Sequence, residues 1–414
     1  MSNHFDWDYS PPASGTIGDH DVRPDSNHLA GKRIALLVCG GIAAMKAPLL
    51  ARALRRRGAD VVAFCSDEAL HYFGREALEW ATLHPLVTRL TWRAEHLSDA
   101  SPFDAYLVAP ATYNTIGKIA SGIADTVVTA TVASALGRMR SGASQVLIAP
   151  TMHGSMHHQI LEKNCRALAD MGVRVVRPRD DYGKHNLPDE GFLVAAVCRA
   201  VSKSPLAGKR ALVTAGPTPV PIDGVRRIVN RFRGKLGACI HEDLLLRGAD
   251  SSLVLGDGGW RPAEWIPLET ASTYDDYKSK VLARAATKPD FGIFSAGVAD
   301  YRPRSAATGK IPSGRTDLKL DLEPTEKVID LAMAAAPSMF TVSFKYQEGL
   351  SRDELLEIAR GRLDRYPVVV ANRGEEIQGD HQAAYIVTRE GETRIEGKPA
   401  IASAICDLLE TRCV

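Results

Sequence analysis

The sequence predicts an α/β protein of two doubly wound, Rossmann-like domains with largely parallel sheets. Three observations predict it. Short apolar runs end abruptly at glycine or proline and give way to stretches of helical spacing, the mark of strands feeding helices across a parallel sheet. That strand–glycine turn–helix pattern starts twice, at Arg33 and again at Arg210. Between the two starts lies a short Ser/Pro/Gly stretch, Ser202 to Gly208, and 414 residues make two domains the default.

Residues 1–30 are rich in Ser, Pro, Gly, Asp and His without periodicity, and read as a mobile tail. A first domain is expected over 31–203. Arg33 to Cys39, RIALLVC, is a buried strand closed by Gly40-Gly41. Ile42 to Arg57 has helical spacing and stops at Gly58, and Val61 to Cys65 is the next strand. This βαβ unit puts glycines where such folds hold a phosphate, although a double glycine also suits a tight turn without a ligand. Residues 68–103 read as helical and irregular, and carry His84 and His96. The run Ala105 to Val108 is expected to stop at Pro110, where small and hydroxyl residues open a helix. Unpaired N–H groups at such a start can bind phosphate or ring oxygens. Gln145 to Ala149 and Val173 to Val176 are further strands, and residues 180–190 read as a short loop.

A second domain is expected over 204–414. It opens with the strand ALVTAG, and Lys235 to Gly248 has helical spacing. Ser252 to Leu255 is a strand, followed by the glycine-rich Gly256-Asp257-Gly258-Gly259. Thr273 to Ala286 is a helix. Phe291 to Asp300, Phe340 to Phe344, Pro367 to Asn372 and Tyr385 to Thr388 read as strands.

Hydrophobic residues at 45% supply real cores, and a net charge of +2 argues for neither nucleic acid nor a membrane surface. Seven cysteines without a C-x-x-C pair read as reduced thiols. No apolar run is long enough to span a bilayer and the N-terminus lacks a signal pattern, so a cytoplasmic protein is expected. His153 and His157 are four apart and could share a helix face with a metal, but Pro150 and Gly154 argue against a regular helix; no metal site is assigned.

Several stretches resemble one family. Pro110-Ala111-Thr112-Tyr113-Asn114-Thr115 looks like the PASANT motif of flavin-dependent cysteine decarboxylases, and GGIAAMKAP resembles their GSIAAYKA turn. Residues 214–237, TAGPTPVPIDGVRRIVNRFRGKLG, resemble TAGPTREPIDPVRFISNRSSGKMG, a long match and therefore a specific one. FGIFSAGVADYRP resembles a segment ending AAVADYRP, and Gly309-Lys310-Ile311 matches the start of a mobile G-K-I-K loop. Together these resemble the bacterial bifunctional phosphopantothenoylcysteine decarboxylase/phosphopantothenate–cysteine ligases over about residues 32 to 412.

The resemblance implies a flavodoxin-like FMN domain followed by a nucleotide-binding ligase domain. It implies FMN held by Gly40, Gly41, Ile42, Ser66, Pro110, Thr112 and Met152, with His96 as base and Asn114 positioning flavin or substrate amide. His96 stands eight residues before Asp104, the family's offset. In the second domain it implies CTP with Mg2+, held by Gly216, Asp300, Lys310 and Phe344. Lys310 would face the phosphoryl charge, Asn230 the acyl-nucleotide carbonyl, and Arg226 the substrate. Phosphopantothenate and cysteine would be joined, and the product decarboxylated to phosphopantetheine. A trimer-based dodecamer is implied as the assembly.

The chain departs from the family at several places: Pro219-Val220 replaces Arg-Glu, Phe232-Arg233 replaces Ser-Ser, Pro312-Ser313 stands where the loop has its second lysine, Gln347 replaces an acid, and two departures fall in the flavin domain. His153 replaces an asparagine that grips the substrate carboxylate. No cysteine lies between Cys165 and Cys198, where the family carries a Cys-Gly-x-x-Gly-x-Gly-Arg flap, and Lys184, His185 and Asn186 stand there instead. His185 is the best chemical substitute, since histidine exchanges protons near neutral pH. Two other readings stay open: a paralogue that ligates another acid or amine beside an altered flavin domain, and a non-catalytic flavin-binding subunit.

Overall fold

The computed structural model describes residue 7 and residues 9–413, except 14, 98–100, 315–316 and 380. Contacts divide the chain into two compact units, Met1–Val197 and Cys198–Val414.

In the first unit the strands are β1 (Arg33–Val38), β2 (Asp60–Cys65), β3 (Ala105–Ala111), β4 (Gln145–Pro150), β5 (Met152–His153), β6 (Arg174–Val175), β7 (Arg179–Asp181) and β8 (Lys184–Asn186). Its helices are α1 (Ala47–Arg55), α2 (Arg75–Thr82), α3 (Tyr113–Ala120), α4 (Val127–Met139) and α5 (Gln159–Asp170), with α6 (Glu190–Val201) running on into the second unit. A five-stranded parallel sheet has the order β2-β1-β3-β4-β6, in register from Ile34↔Ala105 and Ile34↔Val61. The order reverses between β1 and β3, the switch point where ligands lie in such sheets. Every residue of β3 is buried, as expected of a strand covered on both faces.

Four expectations differ from the structure. Pro110 does not end β3: the strand passes through a cis Ala109–Pro110 peptide to Ala111, with a register shift against β4. The first turn of the 42–57 helix is a 3-10 turn, Ile42–Lys46, before α1. The end of the supposed tail is packed: Leu29 is fully buried, and the Asp25 and Leu29 amides donate to the carbonyls of Arg56 and Arg57. Residues 180–190 are no irregular loop. They contain the β7–β8 hairpin, whose β8 pairs antiparallel with β5 in a three-stranded sheet.

The second unit holds β9 (Arg210–Ala215), β10 (Val220–Pro221), β11 (Arg227–Ile228), β12 (Asp250–Gly256), β13 (Glu269–Ala271), β14 (Phe291–Phe294), β15 (Tyr301–Pro303), β16 (Leu322–Pro324), β17 (Phe340–Gln347), β18 (Val368–Arg373), β19 (Ile377–Gln378), β20 (His381–Val387) and β21 (Glu392–Glu396). Its helices are α7 (Lys235–Leu246), α8 (Tyr274–Ala285), α9 (Val328–Ala335), α10 (Arg352–Gly361) and α11 (Lys398–Glu410). The main sheet runs β13-β12-β9-β14-β17-β18-β20, parallel up to β18 and antiparallel beyond it. One apolar cluster around Val213, Ile293, Val342, Ile401 and Ile405 fills one face, under α7 and α11. Another, around Leu212, Val254, Tyr277 and Val281, fills the other under α8 and α9. β14 ends at Phe294, four residues long, so the strand expected to run to Asp300 stops six residues short.

Candidate functional site

The C-terminal ends of β1, β2, β3 and β4 open on a cleft of about 500 Å³ in the first unit. Gly40, Ser66, Thr112, Asn114 and Met152 line it together, five residues drawn from four separate stretches of sequence. A Cβ on Gly40 would lie 2.4 Å from the Cβ of Glu68, so only glycine lets the β1 turn approach the turn after β2. Thr112 caps α3, its Oγ1 accepting from the Thr115 amide at 3.3 Å. Thr126 caps α4 through a reciprocal capping box with Thr129, and both also line the cleft. Two helices therefore start at the cleft, and their first-turn N–H groups give it a positive potential. Ser66 Oγ is buried and has no hydrogen-bond partner among the described residues. A hydroxyl buried without a partner is costly unless something polar meets it, so this donor set fits an anionic ligand such as the FMN phosphate.

The cleft also contains residues that the motifs did not single out. Cys39 lies at its base, its thiol pushed up to about 11 by burial, against the opposing effect of hydrogen bonds from Thr115 and the Thr112 backbone. It therefore stays a neutral thiol at ordinary pH. Lys118 lines the wall and is held 2.6 Å from Asp125. Their signal in sequence was only position, one residue before the glycine turn and one helical turn after Asn114.

Other expected residues lie outside that cleft. Ile42 is 71% exposed on the 3-10 turn that begins after Gly41. Pro110 is buried inside β3. His96 sits half-buried among the turns before residue 98, with Nδ1 buried and unpartnered among the described residues. His153 folds onto its own chain: Nδ1 accepts from the Ser155 amide at 3.1 Å and caps a short 3-10 turn. Nδ1 of His153 is thus engaged by a local cap. His185 is clamped in the hairpin, with Nδ1 2.6 Å from Asp180 and Nε2 2.7 Å from His157. Residue pairing sets His185 opposite Met152, which does line the cleft. His158 caps α5, and no group of three or more potential metal ligands occurs among the described residues.

In the second unit the expected residues fall into two groups. The first gathers beyond β9, β14 and β17. Gly234 starts α7 in the left-handed region, at φ +79°, and a Cβ there would lie 2.2 Å from the Gly216 amide. The Gly297 amide donates to the Gly216 carbonyl at 2.9 Å, the Thr218 amide to the Gly297 carbonyl at 3.3 Å, and the Ala299 amide to Thr218 Oγ1 at 2.8 Å. The Asn230 amide nitrogen donates to the carbonyls of Gly297 and Val298, at 3.0 and 3.2 Å. Its donors are committed to the backbone, so the expected donation to an acyl carbonyl is not the arrangement seen; Oδ1 is its remaining polar atom. Asp300 is exposed and pairs with Lys327 at 2.5 Å. Phe344 packs against the core, and its neighbour Lys345 has its ammonium pKa lowered by burial and then by Arg362, with Asp300 acting the other way.

The second group is a turn and a loop. Asp223 Oδ1 accepts the amides of Val225 and Arg226 at 2.8 and 2.6 Å. Its Oδ2 accepts from Arg226 Nη1 at 2.6 Å and from the Ile311 amide at 3.1 Å. Lys310, exposed, stands next to Ile311. Arg226, expected to grip substrate, has Nη1 engaged by Asp223 and by the Ile311 carbonyl at 3.1 Å.

Residues 22–202 match the Flavoprotein family model, and residues 206–412 match the DNA/pantothenate metabolism flavoprotein C-terminal domain. The coenzyme A biosynthesis bifunctional protein CoaBC of Thermococcus kodakarensis is 36% identical over 88% of this chain and 91% of its own. The CoaBC protein of Mycolicibacterium smegmatis is 31% identical over 91% of this chain and 97% of its own. Among solved structures, the FMN-dependent cysteine decarboxylase SpaF is 28% identical, with a TM-score of 0.37, covering 42% of this chain and 99% of that one.

Proposed function

Because the chain belongs to the CoaBC family, a flavoprotein domain joined to a pantothenate-metabolism C-terminal domain, we propose that it is a bifunctional enzyme of coenzyme A biosynthesis. Its second unit joins 4′-phosphopantothenate to cysteine at the expense of CTP with Mg2+. Its first unit decarboxylates the product to 4′-phosphopantetheine. The observation that carries the reading is the convergence of Gly40, Ser66, Thr112, Asn114 and Met152 on one cleft.

Bound in that cleft, FMN supplies the two-electron oxidation that makes loss of carbon dioxide easy, and the return of those electrons. The chain does the rest. Ser66 Oγ and the first-turn amides of α3 hold the phosphate, and Gly40 lets the backbone come close. Asn114, at the start of α3, orients the substrate amide. Cys39, neutral at the base of the cleft, presents an apolar wall there. His96 is the proposed base. In the ligase unit, Lys310 offsets the charge that develops on the phosphoryl group, and Asp300, shortly after β14, would bind ribose, base or a metal-bound water.

We expect the assembly to be a homo-oligomer in the cytoplasm. Ile42, Met45 and Leu49, 71, 58 and 61% exposed and spaced along the 3-10 turn and α1, form an apolar stripe that supports such an assembly. A second reading has its own support. His153 is used as a local cap, and a hairpin with His185 stands where the family has its cysteine flap; both support a reading in which the decarboxylase half is altered. The test is to incubate the protein with CTP, Mg2+, 4′-phosphopantothenate and cysteine and to weigh the products. Phosphopantetheine supports the bifunctional reading. Phosphopantothenoylcysteine without carbon dioxide release supports the altered one, and no amide product at all overturns both for these substrates.

A further inference from the structure

Four contacts fasten the turn 222–226 to the loop that carries Lys310. The Ala307 amide donates to the Ile222 carbonyl at 3.0 Å, and the Gly224 amide to the Gly309 carbonyl at 3.5 Å. The Ile311 amide donates to Asp223 Oδ2 at 3.1 Å, and Arg226 Nη1 to the Ile311 carbonyl, also at 3.1 Å. Two of the four run through one ion pair. Asp223 is buried while Arg226 is partly exposed. A buried carboxylate that accepts three backbone N–H groups and a guanidinium has every lone pair in use.

We propose that Asp223 is a positioning residue for ligation, whose carboxylate latches the Lys310 loop onto the 222–226 turn so that Lys310 is held at a fixed place beside the reacting phosphoryl group. The proposal rests on the ligase reading above. The three backbone amides hold the Asp223 carboxyl down to about 2, so the latch stays ionised at any pH at which the protein works. The two oxygens have separate duties. Oδ1 shapes the turn through Val225 and Arg226, and Oδ2 alone reaches across to Ile311.

That division makes the latch separable from the turn. In Asp223→Asn the amide oxygen can keep the Val225 and Arg226 amides. The NH2 group then faces the Ile311 amide and the Arg226 guanidinium, donor against donors. Three measurements on the full-length protein test the proposal. The Ile311 amide should exchange hydrogen faster, by about tenfold or more, while the strands of the main sheet keep their protection. Ligation should lose kcat, on the order of 10²-fold, with the KM for cysteine unchanged. The double variant Asp223→Asn/Lys310→Ala should be no slower than Lys310→Ala alone, because the latch acts only through that lysine.

Multiplying effects in the double variant, or unchanged exchange at Ile311, would overturn the proposal. Should Asp223→Asn fail to fold, Ile311→Pro removes the same hydrogen bond from the other side, and the same kinetic and double-variant results are expected of it. If the wild type forms no amide product but Ile311 exchange still responds, the latch stands and the substrate assignment falls.

Discussion

Ser66 owes its importance to a single atom. Its Oγ is buried at the cleft without a partner among the described residues, and a donor in that state gains most when a charged acceptor arrives. Ser66→Ala should therefore weaken FMN binding by roughly tenfold to a hundredfold, the range for a hydrogen bond to a charged group. Flavin fluorescence titration measures it, and an unchanged Kd would remove Ser66 from the site. His241 is a residue whose burial has a consequence for pH. Nε2 is 2.9 Å from the Pro267 carbonyl and must carry the proton, so Nδ1 accepts from Ser251 Oγ at 2.7 Å. Burial lowers its pKa from 6.5 to about 4, against a small opposing effect of the Pro267 carbonyl. The folded chain thus needs the neutral ring. Between these two values the unfolded chain takes up a proton that the folded chain refuses, so stability is full above about 6.5 and falls as pH drops towards 4, by roughly 3 kcal/mol in all. Urea unfolding of the second unit at pH 7 and pH 5 should show the loss, and His241→Gln should flatten it. A pH slope that survives this substitution would place the titration elsewhere.

Among the elements, those with strong local signals were legible. The runs RIALLVC and ALVTAG are strands as expected, and the helix expected over Thr273 to Ala286 is α8, because apolar runs and helical spacing act over a few residues. Gly40, Ser66, Thr112 and Asn114, expected at the flavin site from the family resemblance, stand at strand ends or helix starts and line one cleft. The misses share a cause. Pro110 was read as a stop because local rules exclude proline from a buried strand, yet neighbouring strands hold it there. The hairpin β7–β8 was read as a loop because its polar residues gain order by pairing with β5, which no local pattern encodes. Asn230 kept its place but not its free donors, since those depend on carbonyls 67 and 68 residues further along. The turns at Gly40 and Asp67–His71 give an element-scale prediction. Gly40→Ala sets a methyl 2.4 Å from the Glu68 Cβ, so the 3-10 turn Asp67–His71 must move and take Ser66 with it. The variant should fold but be isolated with little flavin, as its 450 nm absorbance would report. Full flavin content would show that the close approach is not needed.

At the scale of the whole molecule, the question is where the second unit begins. Composition sets the break at Ser202 to Gly208, and a ligase fragment starting at Ser204 follows from that reading. The contacts set it earlier, at Cys198, inside α6. The reason is chemical. The last turn of α6 carries Arg199, whose guanidinium donates to the carbonyls of Leu245 and Ala249 at 2.9 and 2.7 Å and meets Asp250 at 3.2 Å. Ser202 Oγ donates to the Arg247 carbonyl at 2.7 Å. These groups reach carbonyls at and just beyond the C-terminal end of α7, of which Leu245 also accepts from the Gly248 amide at 3.0 Å, and a positive charge there is favoured by the helix dipole. A fragment 204–414 leaves those carbonyls to water, whereas 190–414 keeps α6 whole and Arg199 in place. Both fragments contain the complete main sheet and the apolar clusters that pack on it, so both should fold and release pyrophosphate from CTP with the proper acid. The longer fragment should be more stable by about 2 kcal/mol, a figure already reduced for the partial exposure of Arg199. Urea midpoints at one pH decide it, and Arg199→Ala in the longer fragment should close most of the gap. Equal midpoints would mean that the carbonyls at the end of α7 are as well served by solvent, and that the break belongs at the Ser/Pro/Gly stretch after all.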